Sequence, residues 1–275
     1  MHYIIGDFMI RNFNKQTFKQ QNFKKQNVMS RTKKIGNIFL IILAILVVVG
    51  FGGKSIETVA NKRHLPIYSV ETKEKVVAIT FDCAWGADDI PNILDTLKQR
   101  NAKATFFIVG QWGEKFPNAV KLIASNGSDV ANHGYAHLRM ASISASKCKS
   151  EIELCNQKLE EISGVKVNLF RPPYGDYNNT VIDTCNSLNC YPIQWDVDSL
   201  DWKKEMSKQQ IFERVTKRVK PGSIILFHND TQYTAELLPK IMDELIAKGY
   251  TFKPVSELIM KDNYYIDDQG RQQAK

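Results

Sequence analysis

Val76-Val77-Ala78-Ile79-Thr80-Phe81 runs straight into Asp82. Six residues rich in β-branched and aromatic side chains, closed abruptly by a carboxylate, read as a buried strand that delivers an acid at its C-terminal end. The same kind of run recurs along the chain at Thr105–Val109, Asp129–Asn132, Asn168–Arg171, Tyr191–Trp195, Ser223–Phe227 and Thr251–Lys253. Helical patterns lie between these runs. Ile90–Arg100 carries Ile93, Leu94 and Leu97 on one face. Cys148, Ile152, Cys155, Leu159 and Ile162 step by four and three, as a buried helical stripe does. Ser207–Val219 opens with the capping box Ser207 and Gln210, and Thr234–Lys248 carries Leu237, Leu238, Ile241 and Leu245. Strands alternating with helices imply parallel pairing and right-handed crossovers. The expected fold class is therefore α/β, a distorted (β/α) barrel of about seven parallel strands over residues 74–260.

In barrels of this kind the chemistry sits at the C-terminal strand ends. Here each end carries polar residues. Val76–Phe81 gives Asp82; Asp129–Asn132 gives His133, with His137 four residues on. Asn168–Phe170 gives Arg171, then Pro-Pro-Tyr174-Gly175. Tyr191–Trp195 runs out into Asp196, Asp198, Asp201 and Trp202, and Ser223–Phe227 gives His228. From residue 74 onward the chain has three histidines, and all three are in this set. Taken singly, each residue has a plain structural reading: a turn acid, a surface cation, a helix cap. Five polar clusters on one rim make those readings improbable together.

The five clusters resemble the ordered motifs of the polysaccharide deacetylases of carbohydrate esterase family four, the NodB-homology proteins. Those motifs are TFDDG, H-S/T-x-x-H, R-x-P-Y-G, D-x-x-D-W and L-x-H. This chain has Thr80-Phe81-Asp82, His133-Gly-Tyr-Ala-His137, Arg171-Pro-Pro-Tyr174-Gly175, Asp198-Ser-Leu-Asp201-Trp202 and Leu226-Phe227-His228. The Phe-Asp-x-x-Trp-Gly form of the first is similar to the sporulation branch, the PdaB-like deacetylases. The resemblance implies removal of N-acetyl groups from a cell-wall polysaccharide of peptidoglycan or spore-cortex type, with chitin-like oligomers as further substrates. It implies a divalent metal, zinc above all, on His133 and His137, with Asp82 as general base and Arg171 holding Asp82 charged. It also implies Tyr174 as an oxyanion donor through its main-chain N–H. His228 becomes the general acid supported by Asp201, and Trp202 and Leu226 line the acetyl pocket.

Two departures bear on the metal. Cys83 replaces the family's second Asp, usually the third ligand, and Gly134 stands where Ser or Thr is usual. A thiolate can bind zinc, yet Cys83 reads equally as a small apolar filler. Asp88 and Asp89 are alternative carboxylate donors, with helix N-capping as their ordinary role. The lost Asp also motivates a rival reading, a non-catalytic glycan-binding wall protein on a decayed esterase scaffold. A second rival is a metal-free enzyme of the same barrel class acting on a small amide.

Charge separates the N-terminus from the rest. Residues 1–34 hold eight Lys/Arg and one acid, so they carry +7 of the chain's net +8. A basic tail before an apolar run sets membrane orientation rather than a nucleic-acid surface, so no nucleic-acid partner is expected. That run, IGNIFLIILAILVVVGFGG at 35–53, has 19 residues and no charge. It reads as an uncleaved transmembrane helix rather than a signal peptide. The expected organisation is a cytoplasmic tail (1–34, with Met29 as an alternative start), the span (35–53), a stem (54–73), an extracytoplasmic deacetylase domain (74–260) and a loose C-terminal tail (261–275). The five cysteines are an odd number. A Cys185–Cys190 bridge is conceivable but not expected.

Overall fold

The computed structural model describes residues 63–275. After β1 (Ser69–Val70), the run at Val76–Cys83 forms β2, buried at every position. Then follow β3 (Thr105–Ile108), β4 (Asp129–Asn132), β5 (Leu169–Phe170), β6 (Tyr191–Pro192), β7 (Val197–Asp198), β8 (Ile224–His228) and β9 (Thr251–Phe252). Seven of these form one all-parallel curled sheet in the order β6-β5-β4-β3-β2-β8-β7, and β9 adds in parallel to the start of β2. All seven expected strands are present.

Alternation along β2 sorts its side chains. Val77, Ile79, Phe81 and Cys83 pack outward into the main apolar cluster with Ile90, Ile93 and Leu97 of α1 (Ile90–Gln99). Val76 and Ala78 face the opposite way, among strand residues such as Phe107, Ala131 and Ile224. Thr80 and Asp82 share that inner parity. The outer layer also takes residues from α2 (Gly110–Lys115), α3 (Pro117–Ser125), α4 (Ala145–Ser163), α6 (Lys208–Arg218) and α7 (Thr234–Ala247), while α5 (Asn179–Ser187) packs in a smaller cluster beside Phe170. The expected stripe is buried on α4 at Cys148, Ile152, Cys155 and Leu159, with Ile162 at its margin. The capping box at Ser207 and Gln210 opens α6.

Three expectations change. The run Tyr191–Trp195 is not one strand with a polar overhang. Only Tyr191–Pro192 of it is strand, β6, and the expected overhang holds β7; the two occupy opposite edges of the sheet although only four residues lie between Pro192 and Val197. The chain from one to the other spans at most about 17 Å, so the two edges must curl toward each other. The stem's last residues fill the seam: Ile67 bridges Ile193 and Ser69 bridges Ser223, with Ile67 and Val70 buried. The chain end is likewise ordered. Tyr264–Ile266 (β10) and Arg271–Ala274 (β11) pair antiparallel, and β11 pairs parallel with β1. Gln272 locks this addition by accepting the Met260 N–H (2.7 Å) and donating to the Met260 carbonyl (2.8 Å). All five cysteines are free thiols.

Among the described residues no helix is long and apolar enough to cross a membrane. The expected span, the basic tail and the stem up to residue 62 lie outside the described residues.

Candidate active site

β2 and the turn after β5 set the centre of the site. Arg171 is fully buried, its guanidinium 3.9 Å from the Phe107 ring centroid and 5.4 Å from that of Trp195. One terminal nitrogen donates to Asp82 Oδ1 (2.7 Å) and Thr80 Oγ1 (2.9 Å), the other to the Gln194 carbonyl (3.1 Å). Thr80 and Asp82 meet the same guanidinium because they are two apart on one strand. Burial alone pushes the Asp82 carboxyl up, but its neighbours, the Arg171 guanidinium foremost, outweigh it and hold the group below the usual carboxylate range. Asp82 is thus a buried carboxylate kept ionised.

The two histidines follow β4 on an irregular turn. The Asn132 side chain accepts the Gly134 N–H (2.7 Å), and Gly134 adopts φ +74° with Pro173 so close that a Cβ would stand 3.3 Å from its ring. Glycine at 134 therefore suits this turn. His133 Nδ1 lies 2.9 Å from the Arg171 carbonyl, which can only accept, so the ring carries its proton there. That leaves Nε2 as a lone pair 3.4 Å from the second oxygen of Asp82. His137, at φ +55°, brings its ring to 5.1 Å from that of His133 and 4.5 Å from that of Tyr174. Burial, ahead of the neighbouring His133, lowers the His137 pKa to about 4; burial also lowers that of His133. Both rings are neutral, the state a metal requires.

Two neutral imidazoles, one with its tautomer fixed by a carbonyl, fit a divalent metal that keeps its remaining positions for water and substrate. A third protein donor is missing. Cys83 is fully buried with Phe81 and Ile79, and burial, followed by the charge of Asp82, raises its thiol well above the ordinary range. Asp88 is exposed on the loop. Asp89 stands at the start of α1 but caps nothing there; it accepts the Asp230 N–H instead (2.8 Å). Among the described residues no three or more His, Cys, Asp or Glu gather as a metal cluster.

Across the rim, His228 pairs in register with Asp82 on the neighbouring strand. Its Nδ1 lies 2.9 Å from Asp201 Oδ1, while Asp201 Oδ2 accepts the His228 main-chain N–H (2.7 Å) and the Thr234 hydroxyl (2.6 Å). Burial disfavours the charged ring, yet the hydrogen bond and charge of Asp201 win and raise the His228 pKa above the ordinary imidazole value. Trp85 leans on this ring at 5.6 Å. Leu226 is buried beside Thr80, and Trp202 projects to solvent. Asp198 is structural, accepting the Leu200 N–H (2.8 Å).

Three further residues belong to the site. Thr80 is marked in the sequence only by its shared parity with Asp82, Thr234 carries no signal beyond opening a helix, and Trp85 is marked only by the Phe-Asp-x-x-Trp-Gly resemblance.

A family profile described as polysaccharide deacetylase matches residues 69–193. The chain belongs to the polysaccharide deacetylase family. A peptidoglycan-N-acetylglucosamine deacetylase of Bacillus cereus is 37% identical over 64% of this chain and 65% of its own length. A second protein of that name from B. cereus is 35% identical over 70% of this chain and 92% of its own. The chain thus spans just under two thirds of the first relative and nearly all of the second. The structure of a CE4 family pseudoenzyme from Bacillus anthracis superimposes with a TM-score of 0.68 at 30% identity, covering 76% of this chain and 73% of that one. The curled parallel sheet of this family of deacetylases is the one described above.

Proposed function

We propose that the protein removes N-acetyl groups from amino sugars of a peptidoglycan-type cell-wall glycan. One observation carries the reading: Asp82 and His228, paired in register on adjacent strands, each face an opposite partner, Asp82 the Arg171 guanidinium and His228 the Asp201 carboxylate, so the first is favoured as a base and the second as an acid. A hydrolysis that needs a base and then an acid needs that pair. The relatives named for peptidoglycan deacetylation support the choice of substrate.

Asp82 takes a proton from water as the water oxygen adds to the acetamide carbonyl carbon. The main-chain N–H of Tyr174 donates to the developing oxyanion; one such donor is worth about 10²–10³ in rate. His228 then passes its Nε2 proton to the departing nitrogen as the C–N bond breaks, giving acetate and a free amine. Asp201 holds the imidazolium, and Leu226 and Trp202 border the acetyl group. His133 and His137 would hold a divalent metal, zinc being suited to imidazole, and its chemistry there would be to polarise the carbonyl and make water more acidic. We further propose that residues 35–53 anchor the chain, with this domain outside the cytoplasm.

The test is acetate release from N-acetylated peptidoglycan fragments together with metal content. The pseudoenzyme relative motivates a second reading, a glycan-binding protein without activity. Metal-replete full chain that binds fragments and releases no acetate would establish that reading.

A further inference from the structure

None of the five cysteines serves the site described above, yet the backbone sets two of them against each other. Cys185 lies in the last turn of α5, and Cys190 immediately precedes β6. Between them Asn189 adopts φ +54°. Its N–H donates to the Asn186 carbonyl (3.0 Å), and the Cys190 N–H donates to the Cys185 carbonyl (3.1 Å). This is the Schellman ending of a helix: a left-handed residue folds the chain back, and the side chains on either side of the longer bond meet. That contact is ordinarily between apolar residues; here it is between two thiols. Both are buried in one small cluster with Phe170 and Val181. The main-chain bond between them brings their α-carbons near the separation of about 4.4–6.8 Å that a disulfide spans.

The two sulfurs are not equivalent. Cys185 is fully buried, and its Sγ donates to the Cys190 carbonyl (3.2 Å). Burial, followed by Cys190, raises its thiol well above the ordinary range. Cys190 is the outer of the pair, and its Sγ accepts an N–H of the Asn156 amide (3.4 Å). Hydrogen bonding from the Cys185 thiol foremost, and from Asn156, outweighs burial and lowers the Cys190 thiol to about 7. A thiol attacks a disulfide best when its pKa lies near the ambient pH. Solvent is close at hand. Asn156, Leu188 and Asn189 line an open cleft of about 420 Å³, and Asn186, Ser187 and Asn189 are exposed. Helix ends fray, and fraying of this one uncovers Cys190 before Cys185. The other three thiols are raised by burial, that of Cys148 to about 11.

We infer that Cys185 and Cys190 are a redox modification site, a dithiol that closes reversibly to a disulfide by exchange with the disulfide of a small thiol. The Cys190 thiolate attacks one sulfur of the small disulfide; that S–S bond breaks, and one small thiol leaves, taking up a proton. Cys185 then gives up its proton, and its sulfur attacks Cys190 Sγ. The mixed disulfide breaks and releases the second small thiol. The protein loses two electrons and two protons, and the small disulfide gains both. The new bond ties the end of α5 to the residue before β6. The inference is independent of the deacetylase reading.

The test holds the full chain at neutral pH in mixtures of oxidised and reduced glutathione. Acid then protonates the thiolates and stops exchange; the remaining thiols are alkylated after denaturation, and the products are mapped by mass spectrometry. As the mixture becomes more oxidising, two of the five thiols are expected to disappear together, in a peptide that links 185 to 190. Excess dithiothreitol should return both. Cys185→Ala is expected to stop with one glutathione on Cys190, and Cys190→Ala to take up none on Cys185. Five thiols that stay alkylatable across the whole range overturn the inference. So does a bond from either residue to Cys148, or a mixed disulfide on Cys190 of the unaltered protein that never resolves. The unaltered protein alone yields these outcomes, so the test stands even if a variant fails to fold.

Discussion

The main-chain carbonyl of Arg171 fixes the ring of His133 at 2.9 Å, while the side chain of the same arginine fixes Asp82 at 2.7 Å. One residue thus sets both the base and one proposed metal ligand. Arg171→Met leaves a carboxylate buried without its counter-charge. Breaking a buried pair in this way costs about 3–5 kcal/mol, readable as a lowered midpoint in denaturant unfolding. Adding Asp82→Asn to Arg171→Met should recover part of that stability, because the uncompensated charge is gone. If the double variant is as unstable as the sum of the singles, the two residues are not coupled as described.

Asp82→Asn alone keeps the shape of the side chain and removes its basicity. Acetate release is expected to drop by about 10²–10⁴, with circular dichroism unchanged. Near-normal turnover would remove Asp82 from the mechanism.

The basic limb of the pH–rate profile belongs to His228. Its raised pKa means that the protonated acid persists below that value and is lost as pH climbs through it. Asp201→Asn withdraws the largest of the influences that raise it and leaves burial opposed only by the more distant charges of Asp82 and Asp198, so the basic limb should move to lower pH. Rate profiles of both proteins decide this, and an unmoved limb would show that Asp201 does not support His228.

Metal content separates Cys83 from the histidines. His133→Ala and His137→Ala should each lower bound divalent metal after equilibrium dialysis. Cys83→Ala should leave it unchanged and cost about 1–2 kcal/mol of stability through lost packing. Equal loss of metal in all three would place the thiol among the ligands.

Much of this was legible in the sequence because it is written at strand ends. Asp82, His133, Arg171 and His228 each follow an apolar run, and the fold gathers such ends on one rim. Parity along Val76–Cys83 also answers the question that the resemblance left open: counting back by twos from Cys83 gives Phe81 and Ile79, on the face that packs under helices and opposite Asp82. What escaped was structure with too little length to show a period. β1 and β7 have two residues each, and their pairing, β1 with β11 and β7 with β8, is not written in the local pattern. The chain end hid its strands because Arg271-Gln-Gln-Ala274 is polar. Its order comes from Gln272, whose buried amide satisfies both main-chain groups of Met260.

Gln272→Ala therefore leaves those two groups without partners. The expected destabilisation is about 1–3 kcal/mol, seen by thermal or denaturant unfolding, with faster amide exchange across 264–274. An unchanged midpoint would mean that the C-terminal strands are held by pairing with β1 alone.

The seam also decides how the domain bears tension. A pull on the chain at Arg63 first loads the exposed contacts of Arg63 with Tyr177 and of His64 with Asp183, then the main chain of Ile67, which donates to Pro192 (2.8 Å) and accepts from Gln194 (2.7 Å), and next Tyr68 and Val70, which donate to Gly270 and Gly222. These contacts tie one short segment to the β6 edge of the sheet, to the start of β8 and to the C-terminal hairpin, so the load spreads sideways over several partners at once. The Val70 contact lies just before β8 begins, at the end of that strand opposite His228. Force arriving from the N-terminal side is thus taken up by the rear of the barrel, and the spacing between Asp82 and His228 stays insulated until that segment slides free.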